Sequence, residues 1–452
     1  MREPPVKKLL YWCRECNVPL IGRTCGCGAE GIPLELLQPY DVRPALSADM
    51  EIIRSLIAKR FGVARIPRII LLNKTGGTDR KDLVIANGTR LGWLSFDPFG
   101  RTYSFDLAFE GLPAILPWIT KGIVDIGEPG THPGKRIGGK KVAVGTSLAD
   151  GSVVVRSGKL HGVGQLSGGF VRIKQIGVIQ PREEADPGWD LVVERNRYHL
   201  HNLERNAVRF IRQHMHDRPE ANVSFSGGKD STVALELARR AGITTAYFVN
   251  TGLEFPETLE FVSRHDLQVR LFGGDFWKEV RKAGPPKKDK RWCCECLKLE
   301  PVKEWRKKTG PCVTVQGNRW YESFARANLP PVAVNPFNPA QVNISPIRNW
   351  RALEVFLYIW WRELPVNPLY EMGFERVGCW MCPAMLESES EHVKSIHPEL
   401  YSLWIEFLKE YYKGKHHPEQ FFSCGLWRWD VLPPKMREAA PAVSKKRSYR
   451  RK

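Results

Sequence analysis

Long hydrophobic runs are missing from this sequence of 452 residues. No apolar stretch reaches the about 18 residues that a membrane-spanning helix requires. The segment from Met1 to Leu10 is short and of mixed polarity, which argues against a secretory signal. We therefore expect a soluble, cytoplasmic protein that has no membrane partner.

Acidic residues are scarce relative to basic ones. The chain has 49 Asp and Glu residues against 68 Lys and Arg residues, which leaves a formal net charge of +19. This excess predicts a polyanionic partner, with nucleic acid as the first candidate. The length also exceeds what one hydrophobic core supports and predicts two to four domains.

The chain also lacks the evenly spread cysteines that a disulfide framework requires. The 11 cysteines occur in tight groups, which in a chain without a secretory signal indicates metal sites. Near the start, Cys-x-x-Cys is followed by Cys-x-Cys beside turn glycines, a pattern that suits one tetrahedral Zn²⁺. Residues 1–38 are thus predicted to be a zinc ribbon that needs its metal to fold. The ribbon is either a structural knob or a basic contact for RNA or a partner, and its predicted ligands are Cys13, Cys16, Cys25 and Cys27.

The next two regions differ in pattern. Residues 39–118 indicate a small α/β region without evident chemistry, whereas in 119–185 short β runs alternate with glycine turns, as in a compact barrel. Four segments in order resemble a PUA domain: Gly122-Ile-Val-Asp-Ile-Gly, Ile137-Gly-Gly-Lys-Lys-Val-Ala-Val, Asp150-Gly-Ser-Val-Val-Val and Gly162-Val-Gly. That resemblance implies RNA binding, and another small barrel is the alternative. Candidate phosphate contacts are Lys135, Arg136, Lys140, Lys141, Arg156 and Lys159.

The remainder of the chain predicts a larger α/β domain. Residues 186–220 are expected to form a linker helix with an apolar stripe. Strand and helix patterns alternate over 221–400, which predicts a doubly wound parallel sheet with ligands at the carboxyl ends of its strands. Residues 401–452 are assigned to a C-terminal tail.

One stretch within this domain, Ser224 to Thr232, combines a strand end, a glycine turn and a helix start. Adjacent glycines let the backbone approach an anion, which free N–H groups and the helix dipole then hold. Lys229 adds a cation, and Asp230 either holds Mg²⁺ or orients Lys229. The motif Ser-Gly-Gly-Lys-Asp-Ser resembles the PP-loop of the ATP-pyrophosphatase superfamily, which implies cleavage of ATP between its α and β phosphates. The predicted phosphate-binding residues are Ser224, Ser226, Gly227, Gly228, Lys229, Asp230, Ser231 and Thr232.

A second cysteine set lies within the same domain. The pairs Cys293-Cys294 and Cys379-Trp-Met-Cys382 are separated by 379 − 294 = 85 positions, so they meet only through the fold. Four converging thiolates suit either Zn²⁺ or an iron–sulfur cluster, and spacing alone does not decide between them.

Further segments carry a family resemblance. The second cysteine set resembles the 4Fe–4S motif of adenylylsulfate (APS) reductases, and Pro365-Val-Asn-Pro-Leu-Tyr resembles the stretch before its second pair. The segments that begin at Asn250 and at Gly317 also resemble the phosphoadenylylsulfate (PAPS) reductase-like family, which usually has Asp at the position of Asn250. The resemblance implies a 4Fe–4S cluster on Cys293, Cys294, Cys379 and Cys382. It also implies nucleotide contacts from Asn250, Thr251, Gly252, Gly317, Arg319 and Arg326, the two arginines being able to fork onto phosphate or sulfate oxygens.

Two departures from the reductases bear on function. Reductases often have a degenerate PP-loop, whereas the motif from Ser226 to Ser231 is intact here. Reductases also carry Glu-Cys-Gly-Leu/Ile-His near the C-terminus, whereas Cys424 here lacks the flanking Glu and His. Cys424 is therefore either a nucleophile or sulfur carrier, or a buried small residue. Cys312 is a further thiol, and Cys296 is an alternative ligand to its neighbours.

The leading hypothesis is an enzyme that adenylates a base carbonyl of RNA, with tRNA as the first candidate, and replaces AMP with sulfur held on the cluster or on Cys424. Its catalytic candidates are Lys229, Asp230 and Cys424. Its cofactors are ATP or an adenylylated sulfonucleotide, a 4Fe–4S cluster, Zn²⁺ and, as a further candidate, Mg²⁺. Its partners are RNA and a sulfur or electron donor, and a homodimer is left open. The alternatives are a sulfite-releasing APS or PAPS reductase and a non-catalytic RNA-binding protein.

Overall fold

The computed structural model describes residues 6–63, 65–127, 141–145, 147–180, 184–215 and 220–439. The chain forms two compact units, one from residues 1–96 with 102–199 and the other from 97–101 with 200–452. Among the helices in the described ranges, none is long and apolar enough to cross a bilayer. Lys135, Arg136 and Lys140, proposed above as phosphate contacts, lie outside the described residues, as does the side chain of Lys141.

Strands dominate the first unit. They are β1 Leu9–Cys13, β2 Val18–Leu20, β3 Ile32–Glu35, β4 Val42–Pro44, β5 Ile70–Lys74, β6 Lys81–Ala86, β7 Thr89–Asp97, β8 Thr102–Leu107, β9 Ile123–Asp125, β10 Lys141–Ala143, β11 Gly151–Ser157, β12 Leu160–Ser167 and β13 Phe170–Gly177. The helices are α1 Ser47–Phe61, α2 Leu112–Ile115 and the first part of α3 Trp189–Met215. Three sheets result, with strand orders β2-β1-β3, β4-β5-β6-β7-β8 and β10-β13-β12-β11-β9.

The main core of this unit forms where α1 covers the second sheet. Ile53 and Ile57, one helical turn apart, are fully buried in one cluster with Leu72 of β5 and with Val154 and Val163 of the third sheet. Apolar positions four residues apart lie on one helix face, so the sequence of α1 directs that stripe into the core.

The third sheet contains a strand, β12, that the glycine-rich sequence does not predict. β12 runs through Gly162 and Gly164, in the stretch where the sequence indicates only a Gly-Val-Gly motif. A Cβ at Gly162 would lie 2.2 Å from the carbonyl oxygen of Gln175 on β13. Glycine is therefore required there for the two strands to approach, and it interrupts the apolar alternation that identifies a strand. The assignment of 119–185 to a PUA domain stays a prediction.

The second unit alternates strands and helices. Its strands are β14 Ala221–Ser224, β15 Ala246–Asn250, β16 Val269–Phe272, β17 Cys312–Val315, β18 Val332–Asn335 and β19 Asn338–Ile344. After the remainder of α3, its helices are α4 Lys229–Ala241, α5 Pro256–Ser263, α6 Phe276–Ala283, α7 Trp292–Cys294, α8 Glu300–Thr309, α9 Phe324–Ala327, α10 Ala352–Trp361, α11 Glu387–Ile396, α12 Pro398–Tyr411, α13 Glu419–Ser423 and α14 Pro434–Ala439.

These strands form one sheet in the order β16-β15-β14-β17-β19-β18. Every neighbouring pair is parallel except β18 with β19, which are antiparallel. The predicted doubly wound α/β fold is thereby confirmed. Because β14 pairs with both β15 and β17, the winding reverses beside it, and such a switch point opens a crevice at the carboxyl ends of the strands.

The region assigned to a tail contains packed helices. Trp404 and Leu408 of α12, together with Cys424 and Trp427, are buried in one apolar cluster with Trp380. Trp380 lies between Cys379 and Cys382 in sequence, so residues 401–439 pack around the segment that carries the second cysteine pair. The described part of this region therefore belongs to the core of the second unit.

A buried charge network stabilises the first unit. Asp49 at the start of α1 accepts hydrogen bonds from Arg43 (3.1 Å) and Arg80 (2.5 Å), and Arg80 also donates to Asp82 (2.8 Å). Burial by itself raises the pKa of Asp49, but the attraction of Arg43 and Arg80 outweighs burial and lowers it below its usual range. A lowered folded-state pKa stabilises the fold above the unfolded value of about 3.9, and this stabilisation is lost as pH falls below that value.

Asp49→Asn is expected to lower the free energy of unfolding by about 3–5 kcal/mol at pH 7, because it removes the buried carboxylate that Arg43 and Arg80 share. The difference from the wild type should shrink as the pH drops below about 4. Urea unfolding at both pH values measures this. Glu51→Gln, at an exposed position on α1, is the control and should stay within about 0.5 kcal/mol of the wild type. Equal losses for the two variants would contradict the role of the network.

Candidate functional site

The PP-loop joins β14 to α4 at the switch point of the sheet. Gly227 has a φ of +73°, a conformation that favours glycine, and Gly228 is the N-cap of α4. The hydroxyl of Ser231 donates to the carbonyl of Gly228 at 2.8 Å and lies 3.2 Å from the hydroxyl of Ser226. The loop thus folds around the first N–H groups of a 13-residue helix, which is the arrangement an anion site needs.

Three buried charges lie at the start of this helix. Lys229 Nζ donates to Asp230 Oδ2 at 3.0 Å, and Arg319 Nε donates to Asp230 Oδ1 at 2.6 Å. Burial by itself raises the pKa of Asp230, but Arg319 and Lys229 outweigh burial and lower it. The ionised Asp230 therefore orients Lys229, one of the two roles predicted for it.

Arg319 lies behind Asp230 as seen from the cavity. Its side chain is 3% exposed, and its guanidinium bonds to Asp230 and to the carbonyl of Trp350 (3.3 Å). It is also not among the side chains that line the cavity in front of the loop. Arg319 therefore supports Asp230 from behind, and its predicted contact with phosphate or sulfate oxygens stays a prediction.

Two further residues support the PP-loop from the Pro365-Val-Asn-Pro-Leu-Tyr segment. The hydroxyl of Tyr370 accepts a hydrogen bond from the backbone N–H of Lys229 at 2.9 Å. The amide of Asn367 donates to the carbonyl of Gly227 at 3.3 Å and to the hydroxyl of Thr258 at 3.1 Å. The sequence identifies this segment only by family resemblance, because nothing in its spacing shows which residues reach the loop.

A cavity of about 510 Å³ opens in front of the PP-loop. Of the predicted nucleotide-binding residues, it is lined by Ser224, Ser226, Gly228, Lys229, Asp230, Ser231, Gly317 and Arg326. The predicted residues that do not line it, besides Arg319, are Gly227, Thr232, Asn250, Thr251 and Gly252. Thr232 bonds to the carbonyl of Gly228 (3.2 Å), and the Asn250–Gly252 turn positions Glu254, which does line the cavity.

Gly317 shows how closely two loops meet at this cavity. A Cβ at this position would lie 2.6 Å from both the carbonyl carbon and oxygen of Asp230. The loop after β17 therefore contacts the PP-loop backbone directly, and no larger residue fits without displacing one of them. This is a close-approach role, as the sequence predicts for Gly317, although the neighbour here is backbone.

The second cysteine set converges at one side of this cavity. Cys293 and Cys294 form α7, which continues through a π-turn, Glu295–Leu299, into α8. Cys379 forms a β-bridge with Glu254, and its sulfur lies 3.8 Å from the hydroxyl of Thr251. Cys293 interacts electrostatically with both Cys379 and Cys382, so the fold brings the two pairs together. π-turns occur frequently at functional sites.

Lys298 lines the cavity and also interacts electrostatically with these cysteines. The Cys379 thiolate raises the pKa of Lys298, and Glu254 and Cys294 act in the same direction. A hydrogen bond from Cys293 lowers the pKa of Cys294 to about 6, whereas burial raises that of Cys379 to about 11. Lys298 belongs to no recognised motif, although its position four residues after Cys294 on a helix is a usable signal in the sequence.

The N-terminal cysteines have a tighter geometry. The sulfurs of Cys13 and Cys27 are 3.7 Å apart, those of Cys16 and Cys25 are 3.9 Å apart, and all four lie within 4.8 Å of one another. Zn–S bonds of about 2.3 Å at tetrahedral angles place sulfurs about 3.8 Å apart. The four predicted ligands therefore fit one Zn²⁺, and Arg195 Nε donates to Cys16 Sγ at 3.3 Å as an outer partner.

The three remaining cysteines do not face the cavity. Cys424 is 2% exposed within the apolar cluster, and burial raises its pKa. This environment favours the buried small residue over the nucleophile, the two roles that the sequence leaves open. Cys296 lies beside Glu279, and Cys312 is buried on β17 next to Thr314.

A strand, a PP-loop and a helix that present a buried lysine to a cavity define a nucleotide-using protein of the PP-loop class. Residues 220–385 match the family model described as phosphoadenosine phosphosulfate reductase domain. Uncharacterized protein MJ0066 of Methanocaldococcus jannaschii is 33% identical, over 93% of this chain and 96% of its own length. The adenosine 5'-phosphosulfate reductase of Allochromatium vinosum is 27% identical, over 55% of this chain and 94% of its own.

Among solved structures, the PAPS reductase from Candida auris is similar with a TM-score of 0.34 and 20% identity, over 41% of this chain and 97% of that chain. The sequence matches decide the family. The chain belongs to the PAPS reductase-like family of PP-loop proteins, and its similarity to the M. jannaschii protein extends over nearly the whole length.

Gly317→Ala is expected to weaken ATP binding by at least about tenfold, because the new Cβ must displace the backbone of Asp230 and with it the PP-loop. Calorimetric titration with ATP measures this. Gly378→Ala is the matched control, since Gly378 lines the same cavity but an added Cβ there meets no atom within 4 Å. If both variants bind ATP like the wild type, the close approach at Gly317 is not needed for binding.

Proposed function

We propose that this protein is an ATP-using enzyme that adenylates a base carbonyl of RNA, with tRNA as the first candidate, and then exchanges AMP for sulfur. The observation that carries the proposal is one cavity lined both by an intact PP-loop and by Lys298, which lies among the second set of cysteines. A loop suited to ATP and thiols suited to sulfur chemistry then share one space.

The first step uses the PP-loop. The start of α4, Ser226 and Lys229 hold the phosphates, and Lys229 stabilises the negative charge that develops on the leaving group. The base carbonyl oxygen forms a bond to the α-phosphorus, while the bond from that phosphorus to the bridging oxygen breaks. Its electron pair leaves on pyrophosphate. Asp230 keeps Lys229 in place throughout.

The second step exchanges oxygen for sulfur without oxidation or reduction. Sulfur at the oxidation level of sulfide, supplied by an external donor, attacks the activated base carbon. The carbon–oxygen bond then breaks, and AMP leaves with that electron pair. Lys298, a cation between the thiols and the cavity, is placed to attract the anionic sulfur species toward the adenylated base.

The donor set of the second site suits a cluster. Its four thiols come from two distant segments that the fold brings together, and such a set suits an iron–sulfur cluster or Zn²⁺. The resemblance of the two cysteine pairs to the 4Fe–4S motif of APS reductases favours the cluster. The residues that would hold a 4Fe–4S cluster are Cys293, Cys294, Cys379 and Cys382. When bound, such a cluster supplies the sulfur-handling centre, and the burial of Cys424 favours the cluster over Cys424 in that role.

An exposed arginine stripe supports a polyanionic partner. Arg205, Arg209 and Arg212 project from α3 at helical spacing and line a groove of about 750 Å³ together with Arg240. None of the three α3 arginines has an ion pair with a carboxylate among the described residues, whereas Arg240 pairs with Glu236. Guanidinium groups that have no carboxylate partner and follow this spacing suit the phosphates of a nucleic-acid backbone.

Sulfonucleotide reduction is the second candidate. Four cysteines beside a nucleotide cavity and the similarity to adenosine 5'-phosphosulfate reductases favour it. The intact PP-loop and the buried Cys424 without the flanking Glu and His favour the adenylating enzyme instead. The two candidates differ in product, since one releases pyrophosphate and the other releases sulfite.

The test is product analysis with the cluster-loaded enzyme, labelled ATP, bulk tRNA and sulfide. We expect pyrophosphate release and sulfur incorporation into tRNA. Lys229→Ala should reduce both by about 100-fold or more, because it removes a cation from the developing charge. Lys282→Ala, at an exposed position on α6, should leave both unchanged.

Two outcomes would contradict this assignment. Sulfite release from APS or PAPS with a thiol donor, without pyrophosphate release from ATP, supports the reductase. Tight RNA binding with neither product supports the non-catalytic alternative. Arg209→Ala separates RNA docking from chemistry, since it should raise the RNA concentration needed for half-maximal activity but not lower the rate at saturation.

Metal content should separate the two cysteine sites. Anaerobically purified wild type is expected to contain both zinc and iron with sulfide. Cys16→Ser should lose zinc and keep iron, whereas Cys379→Ser should lose iron and keep zinc. Cys312→Ser, a buried thiol outside both sets, is the control. Elemental analysis that finds zinc and no iron in the wild type would exclude a cluster at the second site.

A further inference from the structure

The β18–β19 hairpin forms a second lobe of the nucleotide cavity. Asn335, Phe337, Asn338 and Gln341 of this hairpin line the same cavity as the PP-loop. β19 is two strands from β14 in the sheet, which corresponds to about 10 Å. The hairpin lobe is thus far enough from the phosphate-binding loop to receive a separate chemical group.

Most side-chain amides in this lobe are already paired. Asn335 Nδ2 donates to Gln341 Oε1 at 2.8 Å, and Gln341 Nε2 donates to the hydroxyl of Thr314 at 2.7 Å. That hydroxyl in turn donates to Asn222 Oδ1 at 2.8 Å. The chain of bonds fixes Asn335 and Gln341, so these two residues form a rigid wall for the lobe.

Asn338 is the exception. It is 8% exposed, and its amide nitrogen is buried without a hydrogen-bond partner among the described residues. A buried polar atom without a partner costs about 1–3 kcal/mol, so its presence in a cavity wall suggests that a ligand supplies the missing acceptor. No sequence motif identifies Asn338, because an asparagine at a hairpin end is usually a turn residue.

Phe337 adds a flat apolar surface at the same place. Its ring is 49% exposed and lines the cavity, and its backbone N–H donates to Asn335 Oδ1 at 3.0 Å, which fixes the turn. An exposed aromatic ring beside a hydrogen-bonding amide matches the way proteins hold single nucleobases, by stacking on one face and bonding to one edge.

We propose that the hairpin lobe binds a nucleobase, with Phe337 stacking on it and Asn338 donating to its edge. The hairpin residues that line the lobe are uncharged, which suits a neutral heterocycle better than a phosphate or a carboxylate. The base has two sources with the same chemistry, the adenine of ATP and an unstacked base of the RNA. The second source rests on the proposed function, whereas the first requires only nucleotide binding.

The test measures binding of two sets of probes to the full-length protein. One set is ATP, GTP, CTP and UTP, and the other is short single-stranded homo-oligoribonucleotides of A, C, G and U. Phe337→Ala should weaken binding of one set by about tenfold, and Phe337→Tyr should restore it, because both aromatic rings stack. Asn338→Ala should change the preference among the four bases in that set, which a merely structural role would not do.

Val334→Ala is the matched control, since Val334 is 59% exposed on the same hairpin but does not line the cavity. Changes confined to the triphosphates assign the lobe to the adenine of ATP, and changes confined to the oligonucleotides assign it to an RNA base. The inference is overturned if affinity and base preference stay unchanged in both sets, or if Val334→Ala reproduces the loss seen with Phe337→Ala.

These readouts require no turnover and so remain separate from the proposed function. Base preference that depends on Asn338, in a protein that releases no pyrophosphate, would support the nucleobase lobe and overturn the adenylation mechanism. If the Phe337 and Asn338 variants bind both probe sets like the wild type while the protein releases pyrophosphate and incorporates sulfur, the nucleobase lobe is overturned and the adenylation mechanism is supported.

Discussion

The carboxylate of Asp230 pairs with two cations that come from different parts of the fold. Lys229 belongs to the PP-loop, and Arg319 belongs to the loop after β17, so one buried charge joins the two loops on either side of the switch point. Loss of Asp230 would remove the carboxylate that both cations share, which costs several kcal/mol. Gly317 also lies against the backbone of Asp230, so the two loops meet through an ion pair and through a backbone contact. Both loops line the cavity, and these contacts hold its two walls together.

The two cysteine sites differ in how the chain assembles them. The N-terminal four lie within one short hairpin region, so a metal can order them locally with little help from the rest of the chain. Of the second four, two lie on α7, and the other two lie in the segment from Cys379 to Cys382. Cys379 forms a β-bridge with Glu254, so the two pairs meet only once β15 and the flanking helices are in place. One site can promote folding of its own segment, whereas the other is a product of the folded sheet.

Local signals explain what the sequence predicts well. Ser226 to Ser231 and the N-terminal cysteines are contiguous motifs, and the alternation of strands and helices identifies the doubly wound sheet. The roles of Arg319, Tyr370 and Lys298 depend on where distant segments meet, which no local pattern encodes. Cys424 illustrates the same limit, because a Cys-Gly-Leu motif does not reveal the tryptophans that surround the thiol in the core. The apolar pattern does not identify β12, because glycines that allow the close approach of β13 interrupt its alternation.

The π-turn between Cys294 and α8 has a consequence for the direction of the tandem thiols. A π-turn holds one residue more than an α-turn, and one residue of an α-helix corresponds to a rotation of about 100°. The direction of the Cys293 and Cys294 side chains relative to α8 therefore depends on the additional residue in the π-turn Glu295–Leu299. Homologous chains with identical cysteines but a regular helix at this point would aim their sulfurs elsewhere. The number of residues in this segment, as well as their identity, thus determines the geometry of the second cysteine site.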